Sequence, residues 1–266
     1  MTVEEVEHSG TPGGFSKAFI HEVVSVPSVS EREDLMKESI RQFAKARSIE
    51  VAEDEKGNLY LTKGKTDKCY LCLVNHMDTV QARQGPYVDR HERLPVKERV
   101  VDGHTELYVD GMGIGADDKL GCAIALALLD QFPVMKAVFF VQEEQGMRGS
   151  KELDVEWFKN VGFCLSFDSP ERNRAARSCA GVPLFTEAFF KEVLKPVCDR
   201  HGITRIQDEP YTDVVQIRMK TPIMCFNVGN GGRNPHRPDE YLIVEDAQAA
   251  YAFGKDLLET VVAMNG

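Results

Sequence analysis

The run CYLCLV at residues 69–74 is apolar at every position, and it constrains the fold more than any other segment of the chain. A strand with one face in water alternates apolar and polar residues, so an unbroken run predicts a central strand covered on both faces. The segments KAVFFV (136–141) and GFCLSF (162–167) have nearly the same character. Helical patterns separate these runs. We therefore predict an α/β fold, a three-layer α-β-α sandwich around a mostly parallel or mixed sheet.

The remaining elements follow from apolar periodicity and from turn residues. Helices are predicted at 15–25, 33–46, 115–132, 183–201 and 244–263. Further strands are predicted at 106–110 and 222–228, and as a hairpin within 51–65. Residues 82–105 are charged and irregular, which indicates a surface excursion. The chain contains no internal repeat and no linker-like stretch, so we expect residues 1–266 to form a single domain.

Charge and composition exclude some functional classes. Lys and Arg number 32 against 42 Asp and Glu, a net charge of −10, which argues against a nucleic-acid partner. The first ten residues, MTVEEVEHSG, have no apolar core of a secretory signal, and no run reaches the roughly 18 apolar residues of a membrane span. We expect a cytoplasmic protein that does not associate with membranes.

Seven cysteines are scattered along the chain, an odd number that favours free thiols over a disulfide framework. Cys69 and Cys72 form a C-x-x-C pattern. Residues three apart on a strand face opposite sides, so this spacing argues against a redox pair or a zinc knuckle.

Histidines and acids that look out of place follow the ends of predicted strands. They are His76 with Asp78, Asp117 with Asp118, Glu143 with Glu144, Asp168, and His236. Each has an ordinary explanation alone, such as favourable charge at a helix start for Asp117 and Asp118 or a turn for Asp168. In an open α/β sheet, however, the carboxyl ends of the strands meet at one edge, where sites form. The combination predicts a functional site there.

Two histidines with three or four carboxylates form a ligand set suited to zinc, manganese or cobalt. The acids are too many for one tetrahedral ion, and they would repel one another without cations among them. Two ions about 3.5–4 Å apart that share one carboxylate would resolve this excess. The sequence therefore predicts two divalent metal ions, with zinc as the first expectation.

Five motifs of the chain resemble, in order and spacing, those of the cocatalytic zinc peptidases. They are HMDTV (76–80), GADDKLG (115–121), EEQGMRGS (143–150), FDSP (167–170) and NPHRPDE (234–240). That superfamily includes peptidase T, the carboxypeptidase G and dipeptidase group, and bacterial leucyl aminopeptidases. The second and third motifs are most similar to peptidase T. The resemblance extends from about residue 20 to residue 260, and it implies a zinc-exopeptidase-like fold.

The resemblance also implies roles for individual residues. His76 and Asp168 would bind one metal ion, Glu144 and His236 the other, and Asp117 would bridge both. The peptide bond between Asp117 and the next aspartate is typically cis in the family.

Two further residues have implied catalytic roles. Asp78 would accept a proton from the ring of His76 and fix its tautomer. Glu143 would be the general base that takes a proton from the attacking water. The implied reaction is metal-assisted hydrolysis of a peptide bond.

The chain departs from the larger members of the family in one respect. Those enzymes insert a lid domain between the positions of Asp168 and His236, which here lie 68 residues apart, so we expect a catalytic core without a lid. This favours an aminopeptidase or tripeptidase, while carboxypeptidase, dipeptidase and N-acyl amino acid deacylase activities stay open. Thr212-Asp213 resembles a pair near the metals in the family, and Arg233 is a candidate for substrate contact. Core-only relatives often assemble, and a homo-oligomer is therefore a further expectation.

Two alternatives come from other functional classes. GMGIGA (111–116) loosely matches a dinucleotide-binding fingerprint, but Asp117 and Asp118 directly after it would repel a pyrophosphate. A catalytically inactive, peptide-binding relative is the second alternative. The presence of every expected ligand and of the base argues against it.

Overall fold

The apolar runs form the centre of the main sheet. The computed structural model describes residues 15–80, 93–209 and 211–264. Strand β3 (Tyr70–His76) lies between β6 (Met135–Phe140) and β7 (Val161–Ser169), and the three strands are parallel. Every residue of β3 and β6 is buried. The prediction of central strands covered on both faces is confirmed.

The main sheet extends on both sides of this centre and is mixed, as predicted. Its other strands are β1 (Glu50–Glu53), β2 (Leu59–Lys63), β8 (Arg174–Cys179), β9 (Val182–Pro183), β10 (Arg205–Glu209) and β11 (Met224–Gly229). The order is β1-β2-β6-β3-β7-β11-β8-β10, with β9 paired to β8. β11 is parallel to β7, whereas β2 is antiparallel to β6 and β8 is antiparallel to β11.

A second, smaller sheet has the order β12-β13-β5-β4. Its strands are β4 (Lys97–Val101), β5 (His104–Tyr108), β12 (Gly232–Arg233) and β13 (Tyr241–Ile243). The prediction that residues up to 105 are irregular is wrong from 97 onward, because β4 and β5 form a hairpin there. Every residue of β4 is exposed, so no burial pattern marks this edge strand in the sequence. Residues 82–92 of the predicted excursion lie outside the described residues.

Helices flank the main sheet, so the predicted α/β sandwich is confirmed. They are α1 (Lys17–Val24), α2 (Asp34–Ala46), α3 (Ala116–Gln131), α4 (Glu187–Phe189), α5 (Lys195–His201), α6 (Val214–Lys220) and α7 (Val244–Met264). α3 packs on β3, β6 and β7 and also contacts α1 and α7. None of the helices described here has the length and apolarity needed to cross a membrane.

The helical segment predicted at 183–201 begins later than expected. Pro183 belongs to β9, and the Thr186 side chain caps α4 by accepting a hydrogen bond from the Phe189 N–H. A π-helical turn, Phe190–Leu194, then joins α4 to α5. α6 was not predicted, because its seven residues are too short to show a clear period.

All seven cysteines are unpaired. Cys69 is exposed and the other six are buried, in agreement with the prediction of free thiols. Cys72, Cys164 and Cys225 stand side by side on the three adjacent strands β3, β7 and β11. They fill a central row of the core.

Candidate metal centre

The five predicted metal ligands converge at the carboxyl ends of the central strands. His76 ends β3, Asp168 lies near the end of β7, and Glu144 follows β6. The ligand atoms of His76, Asp117 and Asp168 lie within 4.8 Å of one another. The same holds for Asp117, Glu144 and His236, so Asp117 belongs to both groups.

Asp117 faces a different histidine with each of its carboxylate oxygens. Its Oδ1 lies 3.2 Å from Nε2 of His76, and its Oδ2 lies 3.1 Å from Nε2 of His236. His76 Nε2 is also 3.3 Å from Oδ1 of Asp168, and His236 Nε2 is 2.9 Å from Oε1 of Glu144. One carboxylate therefore joins two separate pairs of ligand atoms.

These distances fit the donor set of two metal ions. Around a tetrahedral zinc ion with bonds of about 2.0–2.1 Å, neighbouring ligand atoms are about 3.3–3.4 Å apart. Three of the four nitrogen–oxygen distances above lie within about 0.3 Å of that separation. The residue types, two histidines and three carboxylates, are those that zinc and related ions take. The residues present thus fit two divalent ions.

Burial and crowding strongly perturb the acids of the site. Burial raises the pKa of Glu143 to about 9, and the neighbouring carboxylates of Asp213, Asp168 and Glu144 add to the effect. Burial likewise raises the pKa of Asp168 to about 6. Positive charge bound among these groups would lower their pKa values and favour the ionised forms.

The two histidines are perturbed in the direction that carboxylate neighbours impose. Hydrogen bonds to Asp117 and Glu144 raise the pKa of His236 to about 10. Burial by itself would lower the pKa of His76, but Asp168 and Asp117 hold it well above its usual value. Both rings therefore lie in a strongly negative environment.

Asp78 has more contacts than the predicted one. Nδ1 of His76 lies 2.9 Å from the backbone oxygen of Asp78 and 3.4 Å from its Oδ1. The carboxylate accepts hydrogen bonds from the Ser30 hydroxyl (2.8 Å) and from the backbone N–H groups of Glu143 (2.9 Å) and Glu144 (3.2 Å). Asp78 therefore contacts His76 and also holds the segment that carries the two glutamates.

Buried polar groups hold the first residues of α3. The peptide bond between Asp117 and Asp118 is cis, and neither residue has helical dihedral angles, so the regular helix begins after them. The Asp118 carboxylate is buried and accepts a hydrogen bond from Asn75 Nδ2 at 2.6 Å. Glu240 accepts hydrogen bonds from the N–H groups of Gly115 (2.8 Å) and Asp117 (3.2 Å).

Asn75 and Glu240 are support residues that were not among the predicted site residues. Asn75 directly precedes His76, and Glu240 ends the motif NPHRPDE. A polar residue within a run of buried strand residues was the available signal for Asn75. Asn227 on β11 has the same role for Asp168, since its Oδ1 accepts a hydrogen bond from the Asp168 N–H at 2.9 Å.

The Arg233 side chain has several hydrogen-bond partners, whereas the Asp213 carboxylate has none within the described residues. The Arg233 guanidinium donates to the backbone oxygens of Gly231 and Gly232 and to Asp246 at 2.5 Å, so it braces its own loop. Asp213 is 2% exposed, and within the described residues neither of its carboxylate oxygens has a hydrogen-bond partner. Burial raises the pKa of Asp213 to about 7.

Comparison with known proteins gives one curated relative and many similar structures. The cytosol non-specific dipeptidase of Escherichia coli strain K12 is 28% identical over 172 residues, which are 62% of this chain and 35% of the relative. The chain thus spans about a third of that protein. No protein-family profile matches the chain.

Several of the similar structures are peptidases. A tripeptidase from Staphylococcus aureus Mu50 superposes with a TM-score of 0.71 at 17% identity, covering 93% of this chain and 97% of the other. The aminopeptidase PepT of Bacillus cereus ATCC 10987 gives 0.73 at 16% identity, covering 91% and 97%. The TET1 peptidase of Pyrococcus horikoshii, which can assemble into a tetrahedron or an octahedral shell, gives 0.67 at 14% identity, covering 90% and 98%. The chain therefore has the fold of these peptidases, as the resemblance of its motifs implied.

Proposed function

We propose that this protein is a dinuclear metal-dependent exopeptidase that hydrolyses peptide bonds as an aminopeptidase or tripeptidase. The observation that carries this proposal is the position of Asp117, whose two oxygens face two different histidine–carboxylate pairs. The similarity to a dipeptidase in sequence, and to a tripeptidase and an aminopeptidase in fold, supports the same reaction class.

The residues would hold the two ions as two sets that share one member. His76 and Asp168 form one set, Glu144 and His236 the other, and Asp117 belongs to both. Zinc is the proposed metal, with manganese and cobalt as alternatives. Bound there, the ions would polarise the scissile carbonyl group and make the attacking water more acidic.

Glu143 is the proposed general base. One of its carboxylate oxygens lies within 4.8 Å of ligand atoms of His76 and Glu144, so it faces the space between the two sets. There it takes a proton from the attacking water and passes it to the leaving amine. Asp78 orients the His76 ring and holds the Glu143 and Glu144 backbone, so that both carboxylates stay directed toward the site.

A small peptide is the proposed substrate, and dipeptidase action is the second candidate. The named activity of the E. coli relative favours this second candidate. Carboxypeptidase and N-acyl amino acid deacylase activities, and an inactive peptide-binding relative, are the remaining alternatives. We also propose that residues 1–266 act as one catalytic domain without an inserted lid.

Location and assembly are further proposals. The E. coli relative is named as a cytosolic enzyme, and all seven thiols of this chain are unpaired, which supports a cytoplasmic location. The assembly of the P. horikoshii peptidase supports a homo-oligomer. The net charge of −10 supports the expectation that nucleic acid is not a partner.

A substrate panel tests the proposed reaction. Aminoacyl-anilides, dipeptides, tripeptides and N-acyl amino acids are each incubated with the purified protein, with and without a chelator, and its metal content is measured. We expect two divalent ions per chain and chelator-sensitive hydrolysis of substrates with a free amino terminus. Cleavage of N-acyl substrates in preference to free amines would contradict the aminopeptidase assignment, and a folded protein that binds no metal would contradict the whole proposal.

A further inference from the structure

Three consecutive backbone N–H groups after β6 donate to two buried carboxylates. The Gln142 N–H donates to Oε1 of Glu33 at 3.2 Å. The Glu143 and Glu144 N–H groups donate to Oδ1 and Oδ2 of Asp78 at 2.9 and 3.2 Å. The backbone that carries the proposed base and one proposed metal ligand is thus held at three successive positions.

Glu33 occupies a position at which the side chain normally caps the helix that follows it. It is the N-cap residue of α2, a position whose side chain usually accepts a hydrogen bond from the first turn. The Glu33 side chain makes no such bond. Its carboxylate instead reaches Gln142, 109 residues further along the chain, and also accepts a hydrogen bond from the Glu31 N–H at 3.2 Å.

The position of Glu33 is unfavourable for a carboxylate. The residue is 4% exposed, and burial together with the nearby Asp78 raises its pKa. A buried carboxylate is tolerated when it accepts hydrogen bonds, and a surface capping residue would stabilise α2 without this desolvation. Formation of α2 therefore does not explain the side chain, whereas its contact with Gln142 does.

Gln142 has an uncommon backbone conformation. Its φ of 54° lies in the left-handed region, which residues other than glycine rarely adopt. The turn sets the direction in which the chain continues from β6 into Glu143. Further along, the N–H groups of Met147 and Arg148 donate to the backbone oxygens of Glu143 and Gln142 at 2.6 and 3.0 Å, so the loop closes on the same two residues.

We propose that Glu33 is a positioning residue, which holds the left-handed turn at Gln142 and thereby directs Glu143 toward the space between the two ligand sets. Glu33 and Asp78 act as a pair, with Glu33 on the turn and Asp78 on the two glutamates. The catalytic part of this inference rests on the proposed function, whereas the hold on the turn does not.

Amide hydrogen exchange tests the hold on the turn without reference to activity. The measurement compares the metal-free wild type with Glu33→Ala and Glu33→Gln, and with Glu38→Ala as a matched control on the exposed face of the same helix. Loss of a hydrogen bond to a charged acceptor should speed exchange of the Gln142 amide about tenfold or more in Glu33→Ala. Glu33→Gln keeps an acceptor oxygen and should stay close to the wild type, as should Glu38→Ala.

Steady-state kinetics with the metal-loaded protein test the catalytic consequence. Misdirection of the base should lower kcat about tenfold to hundredfold in Glu33→Ala, with a smaller change in KM and with both ions retained. Glu33→Gln should recover most of the loss. A role limited to helix stability would instead lower the melting temperature of both variants and leave kcat unchanged.

The two measurements separate failure of this inference from failure of the proposed function. Unchanged Gln142 exchange in Glu33→Ala, or the same acceleration in Glu38→Ala, would overturn the hold on the turn. Unchanged kcat in an active, metal-loaded Glu33→Ala would overturn the positioning role. A wild type without peptidase activity, but with the expected exchange pattern, would leave the hold on the turn supported and reject the proposed function.

Discussion

Glu143 and Glu144 are neighbours in the chain, but their carboxylates have different partners. Oε1 of Glu144 lies 2.9 Å from Nε2 of His236, within one ligand set. Glu143 belongs to neither of the two sets that share Asp117, and burial raises its pKa to about 9. Positive charge bound in the site would lower this pKa and leave the Glu143 carboxylate ionised, as a group that accepts a proton must be. Mutation of Glu143 should therefore affect catalysis, whereas mutation of Glu144 should affect metal binding.

Replacement of Glu143 by Gln should remove catalysis and leave the metals in place. The amide cannot accept a proton, and the loss of a general base lowers kcat by about 10²–10⁴-fold. Metal content and peptide hydrolysis of the same preparation provide the measurement. Glu144→Gln is the matched comparison, in which metal content itself should fall. Equal loss of metal in both variants would show that Glu143 is a ligand rather than the base.

Helix α3 packs closely against the buried hydrogen bond between its own Asp118 and Asn75 of β3. A Cβ atom on Gly121 would lie 2.0 Å from Oδ1 of Asp118 and 2.3 Å from Nδ2 of Asn75. Asn75 Nδ2 donates to the other oxygen of this carboxylate, Oδ2, in a buried hydrogen bond between β3 and the start of the helix. This position of α3 thus has no space for a side chain.

Replacement of Gly121 by Ala should destabilise the protein, although alanine is the better helix former. Helix propensity alone would give a gain of about 1 kcal/mol, whereas overpacking a buried site costs about 1–3 kcal/mol and here also displaces a hydrogen-bonded carboxylate. Disturbing the hydrogen bond to this carboxylate adds about 1–3 kcal/mol, so we expect a net loss of about 1–5 kcal/mol in the free energy of unfolding, measured with urea. Ala127→Gly in the same helix should lose the propensity difference of about 1 kcal/mol together with the packing of one half-buried methyl group. A stabilised Gly121→Ala variant would contradict the close fit.

Elements with a buried pattern could be predicted from the sequence, and exposed or short ones could not. The unbroken run at 69–74 identified β3, and the acids and histidines at strand ends converge as the strand order requires. β4 was not predicted, because all of its residues are exposed and its sequence shows no alternation of apolar and polar positions. Glu33 and Gln142 are 109 residues apart, and no local pattern indicates a contact that only the tertiary fold creates.

Across the whole molecule, the acids of the site should make the metal-free protein less stable as pH rises. Burial raises the pKa values of Glu143, Asp213 and Asp168 to about 9, 7 and 6, so the folded chain keeps protons that the unfolded chain releases above about pH 4. His236, with a pKa raised to about 10, keeps a proton above pH 6.5 and acts with the same sign. The lowered pKa of Asp117 acts below about pH 4 and so outside this range.

Urea unfolding of the chelated protein at pH 5, 7 and 9 measures this effect. The free energy of unfolding should fall from pH 5 to pH 9, by about 1.4 kcal/mol per pH unit for each proton that the folded state binds in excess. With zinc present the fall should be reduced or reversed, because the bound ligands are deprotonated in the folded protein. Stability of the chelated protein that stays constant or rises over this range would contradict the crowded site.

The seven cysteines allow unfolding of the main sheet to be followed by thiol labelling, because only one of them is exposed. Cys69 is accessible, while six thiols are buried, including the row of Cys72, Cys164 and Cys225 across the central strands. A thiol reagent should therefore modify one group per chain quickly in the native protein and all seven in denaturant. If the six slow thiols react in a single kinetic phase, the central strands separate together. More than one fast thiol would contradict the burial of these six. Since zinc should retard the slow phase and leave the fast one unchanged, labelling in the presence and absence of chelator would measure how firmly the metal centre holds the sheet closed.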